Sequence, residues 1–549
     1  MGLSRRELLI AGIGLGVAGC TSGDSESAAS TTTATADTGS ATTASTTTTT
    51  IPVPIEAPAY SGPASPFVLG VASGDPDATS VVLWTRLMAS FEDPGPLDTD
   101  YQLALDVARD GEFADLVSST VVEAPAAHGN TVHAIATDLE PNNWYWYRFR
   151  AGAETSPTGR ARTMPEGADT PLRFGFSSCQ HWETGQYGAH RQLASTELDL
   201  FVWLGDYIYE NGPSGAGTGA RVHNSAEIET LDAYRARYAL YRSDSDLQAQ
   251  HAARPWIVTW DDHEVDNNHA GLNTEDGQDT AAFADRRRAA HQAWWEHMPV
   301  RLDPPADALT IYRTAQWGSL VDLHMLDGRQ YRAPQPTDGE EVPLPIPGDF
   351  GVRRLGPTAL DPTHSMLGTE QRQWLETQVA TSTARWNVLG NQVYMHGLNA
   401  FLGAPAATNT DTWDGYAGER AELLTALAAN DTNLVVISGD FHASTTAELR
   451  ADPYALNTPV LGTEFMAPAI SSRFPDGLAA LAPVVLGINP QVQHFEPRNG
   501  YMTCEVTADQ WTTTLHILDD VDKADSAVTT TASFTVNAGT PGIAEIATS

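Results

Sequence analysis

Six apolar runs in the later part of the chain each end abruptly in a cluster of polar, chemistry-bearing residues. Leu172 to Phe176 leads into Ser177-Ser178-Cys179-Gln180-His181, and Leu198 to Leu204 into Gly205-Asp206-Tyr207-Ile208-Tyr209-Glu210. Trp256 to Trp260 leads into Asp261-Asp262-His263-Glu264, and Leu320 to Leu326 into Asp327-Gly328-Arg329-Gln330-Tyr331-Arg332. Trp386 to Leu389 leads into Gly390-Asn391-Gln392, and Leu434 to Ile437 into Ser438-Gly439-Asp440-Phe441-His442. Runs this continuous are strands buried on both faces. Helix-patterned stretches separate them, at Leu231 to Tyr241, Thr280 to His297 and Thr369 to Val379. The pattern predicts an α/β unit over 167–530 with its site at the carboxyl ends of the strands. One such cluster would be a plain strand-ending loop; six, rich in Asp, His, Cys and Tyr, predict a shared site.

Residues 65–166 have a different texture. Short β-like runs (Val81 to Trp84, Tyr101 to Leu105, Val117 to Val122, Val132 to Ile135, Trp144 to Phe149) alternate with turn residues, as in an immunoglobulin- or fibronectin-like β-sandwich. Ahead of them, residues 21–64 are mostly Ser, Thr, Ala and Pro with almost no large apolar side chains, a composition that cannot offset the entropy of ordering; they are expected to form a disordered stalk. In residues 1–20, Arg5-Arg6 precedes a short apolar run ending in Val17-Ala18-Gly19-Cys20. That order of signals predicts twin-arginine export, with Cys20 as a lipidated first residue and a cell-surface or periplasmic lipoprotein as the product. The segment 531–549 is Thr- and Ala-rich, without a helical pattern, and is expected to be a C-terminal tail.

The formal charge is −38, from 31 basic and 69 acidic residues, and Lys523 is the single lysine. Such a chain is a poor partner for nucleic-acid backbones, which need Lys and Arg. Three cysteines, Cys20, Cys179 and Cys504, make neither a disulfide framework nor a paired-cysteine zinc site. Cys504, in a strand-like stretch, is expected to be a buried free thiol. The clusters offer metal ligands: Asp206 and Tyr209 from one loop, Asp440 and His442 from another, and the Cys179 thiolate. Thiolate, phenolate and carboxylate together favour ferric iron (Fe3+), while the remaining carboxylate and amide oxygens suit calcium (Ca2+). Neighbouring cations are common machinery for in-line attack on phosphorus.

These motifs, with Phe67-x-Leu69-Gly70-Val71-Ala72-Ser73-Gly74-Asp75-Pro76, Val82-Leu83-Trp84-Thr85-Arg86 and Gly500-Tyr501 to Trp511, run in order along the chain. By them the sequence resembles the PhoD-type alkaline phosphatases/phosphodiesterases, a branch of the calcineurin-like metallophosphoesterases. The resemblance implies a catalytic αββα sandwich preceded by the β-sandwich, and an iron site flanked by calcium, with Zn2+ or Mn2+ as the alternative metals. On it Cys179, Asp206, Tyr209 and His442 would hold iron, and Asp206, Asp262, Asp440 and Asn267 would face calcium. His263 would be catalytic, Arg329 a catalytic phosphate clamp and Gln392 a further substrate contact. The implied activity is hydrolysis of phosphate mono- and diesters by metal-activated hydroxide. The rival readings are a surface-anchored binding protein on an inactive hydrolase scaffold and a phospholipase-type diesterase. Some relatives cover the metals with a C-terminal helix; the segment from Ala524 to Ser549 offers no equivalent, and the Gly-rich Asn211 to Gly219 is expected to be a connector or part of the rim.

Overall fold

All six apolar runs are parallel strands, three in each of two sheets. A computed structural model describes residues 52–549 apart from 168–169, 214–220, 276, 306–308, 345–350, 402 and 430–432. The expected leader with Cys20, residues 21–51 of the expected stalk and much of the Asn211 to Gly219 loop lie outside the described residues. The rest of the expected stalk is corrected: it lies on the sandwich, where the Ile55 N–H donates to Ser119 Oγ at 3.0 Å and Arg150 donates to the Ile55 carbonyl at 2.9 Å. Leu172–Ser177, Leu200–Leu204 and Pro255–Thr259 pair in parallel in a ten-stranded sheet. Val321–Met325, Trp386–Gly390 and Leu434–Ser438 pair in parallel in a seven-stranded one.

Alternation of side chains along each strand sorts them between two cores. From Leu200–Leu204 and Pro255–Thr259, the residues Leu200, Val202, Leu204 and Ile257 point into the seam between the sheets. There they meet Val388, Val435, Ile437 and Phe465 from the other sheet. Phe201, Trp203, Trp256 and Val258 point outward into helices that contribute Leu193, Tyr234, Tyr238, Leu247 and Trp294. Leu389, Leu434 and Val436 do the same on the opposite side, against Leu375, Val379, Leu423 and Leu427. Helices, sheet, sheet, helices is the αββα order. Each fully buried large side chain contributes about 1.5–3 kcal/mol. The long helix Thr280–His297 begins where Asp279 accepts the backbone N–H groups of Ala281 and Ala282, which supplies donors that would otherwise lack partners.

The N-terminal sandwich shares one of its sheets with the catalytic unit. Its outer sheet holds Leu116–Ala124, Tyr101–Ala108, Trp144–Ala151, Glu154–Thr155 and Gly159–Arg162. Its inner sheet, Val71–Gly74, Val81–Arg86 and Thr131–Ala136, is the far end of the ten-stranded sheet. Leu103, Leu105, Tyr147 and Phe149 face Val71, Val81, Leu83 and Val132 across this smaller core. The join is tight at Gly74, where an added Cβ would lie 2.2 Å from the Pro299 carbonyl oxygen. Next to it, Asp75 accepts from the Arg301 backbone N–H at 2.9 Å and the Arg313 guanidinium at 2.6 Å.

The expectation of a C-terminal tail over 531–549 is corrected. Val528–Asn537 and Glu545–Thr548 are the last two strands of the ten-stranded sheet. The Thr-rich sequence hides a period of two: Ala532, Phe534 and Val536 are buried in the inter-sheet core. No helix occurs after Ala524. Cys504, on Gly500–Val506, is a buried free thiol.

Candidate metal and phosphoester site

The carboxyl ends of the two parallel triplets meet at one place. Ser178, just past its strand, forms a parallel bridge with Ala469 of the other half. The backbone N–H of Cys179 donates to the Gly205 carbonyl at 3.1 Å, and the Cys179 carbonyl accepts from Ser472 at 3.2 Å. The loops are therefore laced to each other before any side chain is considered. Cys179, Asp206, Asp440 and His442 all sit at positive φ, between 56° and 67°. For non-glycine residues this costs roughly 1–3 kcal/mol each and persists only where the surroundings enforce it. Gly205 (φ 110°) leaves no room for a side chain, since a Cβ would lie 2.4 Å from that of Asp261.

Three groups of ligand-type side chains converge there, each with its ligand atoms within 4.8 Å of one another: Cys179, Asp206 and His442; Asp206, Asp262 and His263; and Asp206, Asp261, Asp262 and Asp440. Asp206 belongs to all three. Tyr209 donates its hydroxyl hydrogen to Asp206 Oδ2 at 2.9 Å and lies 3.1 Å from His442 Nε2. The structure thus brings Cys179, Asp206, Tyr209 and His442 together on one side, and Asp262 and Asp440 with Asp206 on the other. His263 stands over the Tyr209 ring, with centroids 4.1 Å apart, and its Nδ1 meets Glu210 Oε2 at 2.7 Å. Side-chain exposure is 14 % for His263 and 23 % for Asp440, so these two line the opening.

Three of the expected site residues are also engaged by other protein groups. Arg329 is held by carboxylates: its buried guanidinium donates through Nε to Asp261 and through Nη1 to both oxygens of Asp411, at 3.1 and 2.9 Å. Its Nη2 is 3.5 Å from Asp262 and 3.9 Å from Asp440. Arg329 therefore positions carboxylates. Gln392 is fully buried and tied to Thr259 Oγ1, the carbonyls of Trp260 and Leu326, and the Gly328 N–H, so its amide hydrogens are taken up within the protein. Asn267 turns its amide to Glu275 at 2.6 Å and gives its backbone N–H to Glu210. It holds the His263 loop.

Several contributors had only weak signals in the sequence. Asp261 stands beside Asp262, and adjacency alone does not say that both carboxylates face the site. Glu264 brackets two loops by accepting the N–H groups of Asp206 at 3.1 Å, Asp261 at 2.7 Å and Tyr207. Ser472 Oγ, 2.7 Å from the Tyr209 hydroxyl, comes from a segment without any motif.

The charges in this cluster oppose one another. Burial, with Asp206 and Asp440 adding to it, pushes the Cys179 thiol well above its usual range. Burial also holds Asp206 high; His263 opposes this, and Asp262 and Asp261 reinforce it. Asp440 is raised by burial and by Asp261 and Asp262. Asp261 is pushed up to about 7 by burial, against the pull of Arg329. Asp262 alone moves down, because Arg329 and His263 together outweigh its burial. His263 moves up: burial disfavours its charged form, but Glu210, Asp206 and Asp262 prevail. Asp206 Oδ1, Asp261 Oδ2 and Asp262 Oδ1 are buried without a hydrogen-bond partner. Orphaned anionic oxygens crowded at one point fit cations, whose charge would satisfy them.

The model of the PhoD-like phosphatase family matches residues 174–515, and the model of that family's N-terminal domain matches residues 54–165. The chain belongs to the PhoD-like phosphatase family. It is 40% identical over 501 residues to Alkaline phosphatase D of Bacillus subtilis (strain 168), covering 89% of this chain and 84% of that protein. A solved structure of PhoD superposes with a TM-score of 0.82 at 39% identity, covering 87% of this chain and 92% of that one. The chain is a phosphoric ester hydrolase of the alkaline phosphatase/phosphodiesterase class, and the converging clusters lie where its PhoD-like domain carries the strand-end motifs.

Proposed function

We propose that this PhoD-like enzyme is an exported, metal-dependent phosphatase/phosphodiesterase acting on phosphate mono- and diesters. The observation that carries the reading is Asp206, shared by three ligand clusters whose neighbouring carboxylates keep orphaned oxygens. The donor chemistry divides the site. Cys179, Tyr209, His442 and Asp206 suit Fe3+; Asp206, Asp261, Asp262 and Asp440 are oxygen donors suited to Ca2+. Zn2+ or Mn2+ is the alternative on the same residues. Bound cations would neutralise phosphoryl oxygens and activate the attacking water.

The chain's own residues do the rest. Arg329 fixes Asp261 and keeps the carboxylate cluster in one arrangement. Glu264 holds the Asp206 and Asp261 loops in register. His263, at the opening, has its Nδ1 occupied by Glu210, so its other nitrogen is the one free to pass a proton to the departing alkoxide. Glu210→Gln is expected to lower kcat about 10- to 100-fold with little change in KM, the usual scale for losing an orienting partner. An unchanged kcat would remove His263 from proton transfer.

The test of the reading is p-nitrophenol release from the phosphate monoester and the bis-ester at alkaline pH with calcium, using protein that begins after Cys20. Turnover abolished by a chelator and restored by metal is the expected result. Metal analysis accompanies it: a Tyr209 phenolate on ferric iron gives visible colour that Tyr209→Phe should remove, and zinc gives none. No turnover of either ester by protein loaded with iron and calcium would sink the proposal. Export with a lipid anchor is part of the same proposal and rests on Arg5-Arg6 and Cys20. Cys20→Ala should shift the protein out of the membrane fraction; an unchanged distribution would discard the anchor.

A further inference from the structure

A cavity of about 520 Å³ adjoins the site and is lined almost wholly by apolar side chains, among them Phe441, Phe474, Phe495, Leu481 and Val485. Arg354 is the one charged residue in its wall among the described residues. Phe441 is the shared partition. It stands between Asp440 and His442 in sequence, and its ring packs on Tyr394 at 5.3 Å and on Phe474 at 5.2 Å. Phe474 in turn meets Phe495 at 5.5 Å.

The outer wall is the helix Asp476–Ile488, whose sequence DGLAALAPVVLGI carries no charge after its first residue. A helix that is apolar on all sides is ordinarily buried. This one has no buried residue, and Val484 is 63% exposed. Exposed apolar surface beside a reaction centre marks a place for an apolar ligand group. The cavity is concave, and one of its walls lies between two residues of the reaction centre.

We propose that this cavity is a substrate subsite that takes an aliphatic chain esterified to the scissile phosphate, so that the enzyme prefers phosphodiesters bearing such a chain. This rests on the phosphoesterase reading above. The anionic phosphate would sit by the ligand clusters around Asp206, and the chain would extend past Phe441 under the helix. Selectivity follows from area: a chain that leaves water for the cavity strengthens binding with each methylene.

The test uses metal-loaded enzyme and a series of alkyl p-nitrophenyl phosphodiesters from methyl to octyl, kept below their micelle-forming concentrations. The expected result is a rise in kcat/KM of up to about fourfold per methylene until the cavity is filled. Leu481→Gln should flatten that slope, and Ala482→Trp, which fills the cavity from an unburied helix position, should cut the octyl-to-methyl ratio at least about tenfold. Turnover of the methyl ester should stay as in the parent protein. A flat series in the parent protein overturns the subsite while leaving the hydrolase reading intact. A gain seen only above the micelle-forming concentration also overturns it, because the helix would then be adsorbing to an interface. If no ester of the series is turned over, the hydrolase reading itself fails. Calorimetric binding of octyl against methyl phosphate then decides the subsite separately, and equal affinities overturn it.

Discussion

Asp206→Asn is expected to lower phosphoester turnover by more than about a thousandfold, beyond the loss from removing a single stabilising donor. The substitution keeps volume and shape but removes the one charge common to all three ligand clusters. Its Oδ2 accepts the Tyr209 hydroxyl, and its Oδ1 is buried without a partner. Asparagine can satisfy the first contact with its carbonyl oxygen, so the loop should keep its course. It cannot bridge two cations. Folding is expected to survive, and the metal-free variant should be more stable than the parent, because one of several mutually repelling carboxylates is gone. Elemental analysis with thermal unfolding in chelator checks this. The expected outcome is less bound metal and a higher unfolding temperature without metal. Full metal content with activity within tenfold of the parent would mean that Asp206 bridges nothing.

That prediction was open to the sequence because its signal is local. An apolar run followed by Gly205-Asp206 announces a buried strand and a sharp turn at its carboxyl end. The turn exists because Gly205 takes a positive φ against Asp261. The same holds for Cys179, Asp440 and His442: each follows its strand within a few residues, so strand direction alone carries it to the site. Arg329 and Gln392 follow equivalent strands too, but Arg329 is engaged by the site's carboxylates and Gln392 by the seam between the sheets. Gln392 ties Thr259 and Trp260 of one sheet to Leu326 of the other. That seam depends on the register between two sheets, with Gln392 and Thr259 133 positions apart in the chain, which no local pattern encodes. The strand Val528–Asn537 was obscured differently. Its outward positions are filled with Thr and Ser, and the alternating Ala532, Phe534 and Val536 are too few to stand out in a polar stretch. The division into sandwich and catalytic unit was legible along the chain. The sharing of one sheet between them was not, since it rests on two parallel partners, Ser73 with Pro255 and Gly74 with Trp256.

Arg329→Met is expected to destabilise the metal-free enzyme by about 3–5 kcal/mol, the usual scale when one member of a buried charge group is removed. The guanidinium is fully buried and answers Asp261 and Asp411 directly, with Asp262 and Asp440 just beyond. Asp411 would keep Arg332 at 2.5 Å and Gln335 at 2.6 Å, so its loss is softened. Among the described residues Asp261 and Asp262 form ion pairs with no other arginine, and the cost falls on them. Both also belong to the ligand cluster, where bound cations would stabilise the same oxygens that Arg329 serves. The deficit should therefore shrink when metal is supplied. Arg329→Lys should recover only part of it, because a point charge cannot face Asp261 and Asp411 at once as the planar fork does. Urea unfolding of parent and variants, each with chelator and with calcium, separates the terms. A deficit that metal leaves unchanged would show that Arg329 supports packing and not the charge balance of the site. A deficit under about 1 kcal/mol in chelator would mean that the carboxylates around it take up protons and need no arginine.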